Sequence, residues 1–118
     1  MEPHRISTID QLDAALQADD PRPLLLFKHS TRCPVSSWAH NAYHRFVDRL
    51  DPGEARPAIV YVVEDRPVSD AAADRLQVRH ESPQAFVIAA GEVVWHDSHS
   101  GITEEALTDA LTRARTVA

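Results

Sequence analysis

The chain has 118 residues and a mass of 13.1 kDa, enough for one domain with a single core. Hydrophobic residues at 43% and charged residues at 25% are ordinary for a globular protein, and no apolar run approaches the roughly 20 residues needed to cross a bilayer. A formal net charge of -6 argues against nucleic acid as the main partner, and the single cysteine excludes both an internal disulfide and a two-cysteine redox cycle within the chain. The start, Met1-Glu2-Pro3-His4-Arg5, has no apolar signal-peptide region, so one cytoplasmic domain over residues 1–118 is expected, without a membrane partner.

Residues 7 to 19 have the pattern of a first helix: Thr8 and Gln11 form a capping box, and Ile9, Leu12 and Leu16 recur at helical spacing. Asp19-Asp20-Pro21 and Pro23 stop it. Leu24 to Lys28 is too short for a buried helix and suits a central strand. From Val35 the apolar positions Trp38, Ala39, Ala42, Tyr43, Phe46, Val47 and Leu50 make one broad helical stripe, ended by Asp51-Pro52-Gly53. Pro57 to Val63 follows as a second buried strand, so the three elements form a right-handed βαβ unit with parallel strands. A weaker helix covers Pro67 to Val78, with Ser69 as a candidate cap. Ala85 to Ile88 and Val93 to Trp95, joined through Ala90-Gly91-Glu92, predict an antiparallel hairpin. Thr103, followed by Glu104 and Glu105, opens a last helix with Ala106, Leu107, Ala110, Leu111 and Ala114 on one side. The order is α-β-α-β-α-β-β-α: a four-stranded mixed sheet flanked by helices on both faces.

Between the first strand and the long helix lies the stretch that carries chemistry, Lys28-His29-Ser30-Thr31-Arg32-Cys33-Pro34-Val35-Ser36. A cysteine followed by proline at a helix start meets backbone N–H groups that have no intrahelical partner, and the positive end of the helix dipole. A thiolate is favoured there, and the thiolate is the nucleophile in thiol–disulfide exchange. Ser36 stands where a Cys-x-x-Cys pair has its second cysteine; its hydroxyl can hydrogen-bond the thiolate or cap the helix. Pro83, entering a strand after Glu81-Ser82, is a candidate cis proline. His40 and His44 share a helix spacing, but they lie off the apolar stripe and read as solvent-facing, and no hydrolase glutamate stands between them. His40 is also about 10 Å along the axis from Cys33, too far for a Cys–His hydrolytic pair. No metal ligands and no tightly bound cofactor are expected.

The element order matches a thioredoxin fold lacking its first strand, as in glutaredoxins. Three separated motifs sharpen that: Phe27 to Ser36, His80-Glu81-Ser82-Pro83-Gln84, and Val94-Trp95-His96-Asp97-Ser98-His99 with Ile102-Thr103. Together they closely resemble the monothiol bacilliredoxins, over about residues 8 to 112. The resemblance implies a thioredoxin-like domain whose Cys33 attacks the mixed disulfide between a client protein and bacillithiol and takes the small thiol onto itself. A second bacillithiol, as thiol co-substrate, then frees Cys33. By the same resemblance Thr31, Arg32, Pro34 and Ser36 support the active site, and Ser82 and Pro83 offer backbone to the ligand. Arg32 beside the cysteine is a candidate for stabilising the thiolate or meeting a carboxylate of the thiol ligand. The alternative is a non-catalytic thioredoxin-like carrier or interaction domain, for example one holding an iron–sulfur cluster through Cys33 of two chains. Monothiol glutaredoxins that do so carry glycine after the cysteine, where this chain has Pro34.

Overall fold

The structure is a computed structural model and describes residues 1–117; Ala118, the last residue of the expected domain, lies outside the described residues. Its elements run β1 (His4–Arg5), α1 (Ile9–Gln17), β2 (Leu24–His29), α2 (Pro34–Asp48), β3 (Arg56–Tyr61), α3 (Arg66–Leu76), β4 (Gln84–Ala89), β5 (Glu92–Ser98), a 3-10 turn (His99–Gly101) and α4 (Glu104–Val117). They build one mixed five-stranded sheet of order β1-β3-β2-β4-β5. β2 pairs parallel with β3, and β4 runs antiparallel to both β2 and β5.

Strand alternation divides the core between the two sheet faces. Leu25, Phe27, Ile59, Ala85 and Val87 point to the side covered by α2 and α4, whereas Leu24, Leu26, Ala58, Val60, Phe86 and Ile88 point to α1 and α3. That is why the inner strands read as continuous apolar runs: both of their faces are buried. The sheet has five strands where four are expected, because His4 and Arg5 pair with Ala58 and Ile59. Two exposed polar residues carry no apolar alternation, and their strand is held by backbone pairing and by Ile6, which is fully buried and donates its N–H to the Ile59 carbonyl at 2.9 Å.

Local signals set most boundaries. The Thr8–Gln11 box is present, with the Gln11 N–H donating to Thr8 Oγ1 at 3.1 Å and the Thr8 N–H to Gln11 Oε1 at 3.3 Å. The hairpin turns on Ala90 (φ 53°) and Gly91 (φ 78°); two successive positive φ values are what a tight two-residue hairpin needs and what glycine adopts without strain. Helix α3 starts at Arg66 with Asp65, not Ser69, as its N-cap residue. Ser69 is instead fully buried on the sheet-facing side.

Tyr43 is the keystone of the α2 face. It is fully buried, stacks on Phe27 at 4.8 Å between centroids, and shares its hydroxyl proton between the carbonyls of Leu25 and Ala58, each at 3.0 Å. Burial pushes its phenol well above the usual range. Tyr43→Ala opens a cavity and orphans two strand carbonyls, so urea denaturation should show a loss of about 3–5 kcal/mol with the m-value little changed.

Candidate active site

The turn Ser30–Cys33 links the end of β2 to the start of α2, closed by the Cys33 N–H donating to the Ser30 carbonyl at 3.3 Å. Cys33 is the N-cap residue of α2 in extended backbone (φ -116°, ψ 120°), with Pro34 as the first helical residue. Proline brings no N–H of its own, so the open donors of this first turn begin with Val35 and Ser36. The Cys33 side chain is partly exposed, is free of any disulfide and makes no capping hydrogen bond. The sulfur is therefore reachable from solvent at the positive end of a 15-residue helix.

Ser36 points the other way. It is fully buried, accepts the Ser30 N–H at 2.9 Å, and lies 2.7 Å from His29 Nδ1. His29 is 7% exposed, and its conjugate acid is pulled down to about 4, first by burial and then by His40, with Glu64 opposing. The ring is neutral at pH 7, and its Nδ1 shares a hydrogen bond with the Ser36 hydroxyl, whose oxygen also takes the Ser30 proton. Ser36 thus fastens the inside of the cysteine turn, instead of capping the helix or meeting the sulfur. Ser36→Ala leaves a buried imidazole nitrogen and a backbone N–H without partners and should cost about 1–3 kcal/mol in chemical denaturation, with Cys33 still open to alkylation.

His40 departs from the solvent-facing expectation. It is half-buried and stacks on His29 at 4.3 Å, while exposed His44 stacks on His40 at 5.8 Å. Ser36, His40 and His44 lie one turn apart on one face of α2, a spacing that carries this ladder in the sequence once Ser36 is known to point inward. Thr31 and Arg32 are exposed at the turn; Thr31 Oγ1 reaches Glu64 at 3.5 Å.

The Ser82–Pro83 peptide bond is cis. Pro83 accepts the N–H of His99 at 3.1 Å, which ties the start of β4 to the turn after β5. His99 in turn lines a groove of about 820 Å³ whose other wall is the outward face of α2, with Pro34, Val35 and Trp38. Val35 is 46% and Trp38 80% exposed, so both leave the buried stripe in which their spacing places them and form an apolar surface next to Cys33. At the far end of the groove Arg45 pairs with Glu104 at 3.0 Å, and Arg49 pairs with the same carboxylate, joining α2 to α4. Among the described residues no helix is long and apolar enough to cross a membrane.

A mixed sheet with two helices on each face and a lone cysteine at the N-cap of α2 is the arrangement of a thioredoxin-like, monothiol protein of the thiol oxidoreductase class. Solved structures agree on the fold. The chain superimposes with a TM-score of 0.80 and 31% identity, over 92% of both chains, on a protein described as an oxidoreductase candidate with a thioredoxin fold. It also matches thioredoxins of Malassezia sympodialis (TM-score 0.73, 15% identity, 97% of this chain and 91% of that one) and Fasciola hepatica (0.73, 17%, 94% and 98%). The chain belongs to the monothiol bacilliredoxin BrxC family, whose model matches residues 4–107.

Proposed function

We propose that the protein removes bacillithiol from S-bacillithiolated client proteins through Cys33. The observation that carries this is a lone, partly exposed cysteine at a helix N-cap in a chain of the monothiol bacilliredoxin family. The Cys33 thiolate attacks the bacillithiol sulfur of the client's mixed disulfide; a new S–S bond forms, the old one breaks, and the client leaves as a thiolate that takes a proton from water. A second bacillithiol thiolate then attacks the adduct, frees Cys33 and departs as bacillithiol disulfide. Ser36 cannot replace it, because it has no thiol and is buried against His29. The resolving thiol comes from solution, and the cytoplasm, where such thiols are kept reduced, is the fitting compartment.

The client approaches along the backbone at Ser82–Pro83 as an added strand, with exposed Arg32 placed to meet a carboxylate of the small thiol. The apolar groove beside Pro34 takes the client side chains flanking the modified cysteine. Trp38→Ala should therefore raise KM for a bacillithiolated protein several-fold while leaving stability within about 0.5 kcal/mol, since the indole is 80% exposed. The deciding experiment is incubation with a bacillithiol-modified client followed by intact mass. Growth of a bacillithiol adduct on this chain with loss of it from the client supports the proposal; an unmodified chain beside an unchanged client sinks it.

A further inference from the structure

Lys28 is fully buried in the sheet, with its backbone paired to Val60 on β3 and Gln84 on β4. Its Nζ lies 3.0 Å from His80 Nδ1, and Ser69 Oγ of α3 lies 3.4 Å from the same nitrogen. Next to it Gln84, also buried, donates through Nε2 to the Arg79 carbonyl at 3.0 Å and accepts the Glu81 N–H at 3.3 Å. Arg79, His80 and Glu81 are thus each held by a buried side chain, and the two residues that follow are Ser82 and Pro83. An ammonium removed from water costs several kcal/mol, and an apolar side chain among Leu24, Leu26 and Val60 would serve the core better. Packing alone does not account for Lys28.

Burial draws Lys28 down to about 8 against the pull of Asp70. His80 is lowered by burial and by Lys28, with Arg66 adding to this and Asp70 and Glu81 opposing. At neutral pH the ammonium therefore donates to an unprotonated Nδ1. Protonating His80 places two cations 3.0 Å apart and parts them.

We propose that Lys28 and His80 are positioning residues: their hydrogen bond sets the 79–83 segment so that the Ser82 backbone is presented to the disulfide-bearing substrate, and acid releases it. This rests on the substrate edge assigned above. The test combines NMR with kinetics on a bacillithiolated peptide, using Lys28→Met, His80→Leu and His80→Asn, the last of which keeps an acceptor oxygen. Lys28→Met should raise the His80 titration towards the ordinary imidazole value, speed amide exchange at Glu81 and raise KM, each of the last two roughly tenfold, with kcat little changed. His80→Leu should repeat the loss and His80→Asn recover most of it. The wild-type KM should climb as pH falls through the His80 titration, and that of Lys28→Met should stay flat. Wild-type KM and Glu81 protection in His80→Leu overturn the proposal even if the lysine variant does not fold. A wild-type protein that takes up no bacillithiol fails the function assignment alone, while Glu81 exchange and the His80 titration still decide whether the pair holds the segment.

Discussion

Cys33→Ser should abolish bacillithiol transfer and, at the same time, leave the protein as stable as before or more so. The loss follows from chemistry: exchange needs a thiolate sulfur as nucleophile, and a serine hydroxyl offers neither the sulfur nor the charge. No other thiol exists in the chain to take over. The gain follows from position. Cys33 is the N-cap of α2 and caps nothing, whereas serine is among the preferred N-cap residues and can accept an N–H of the first turn, a contribution of about 0.5–1 kcal/mol. Intact mass should show no adduct on the variant after incubation with a modified client, and urea denaturation should show an equal or higher midpoint. Transfer to the serine variant at the wild-type rate would falsify Cys33 as the acceptor.

Acidification should destabilise the fold well before the carboxylates titrate. His29 takes up its proton near 6.5 in the unfolded chain but only at about 4 in the folded one, because burial, and then His40, disfavour the cation. Between those values the unfolded state binds the proton and the native state does not. Stability is therefore fully present above pH 6.5 and falls as pH drops towards 4, by on the order of 3 kcal/mol from this group. His40 and His80, both held below the ordinary imidazole value, act in the same direction. Glu54, Glu81 and Glu104 are held below the usual carboxylate range, so their contributions are lost only at lower pH. Denaturation curves at pH 7, 5.5 and 4.5 should show a steady fall. His29→Phe starts from lower stability, since Ser36 loses its hydrogen-bond partner, but its slope over this range should be shallower. Equal wild-type stability at pH 7 and 4.5 would refute the role given to the buried imidazole.

The periodicities and caps in the sequence determine the order of the main elements, the Thr8–Gln11 box, the Ala90-Gly91 turn and the placing of Cys33 at a helix start. Each of these is a short-range matter: a hydrogen bond three residues away, a φ angle, a repeat of 2 or 3.6 residues. The motifs around Cys33 and Pro83 made the family recognisable for the same reason, since turn chemistry is written in consecutive residues. Only the tertiary structure decides what lies across the fold. It makes His4–Arg5 a fifth strand by pairing it with residues more than 50 positions away, where two polar residues carry no periodic signal. It turns Ser36 inward onto His29, draws His40 onto the same ring and buries Lys28 against His80. It leaves Trp38 in solvent, although its spacing continues the buried stripe, because the buried face of α2 runs through Ser36, Ala39, Tyr43 and Val47 and Trp38 falls at its margin. Polar side chains at element ends take their direction from partners that other segments bring to them, and such partners have no local signature.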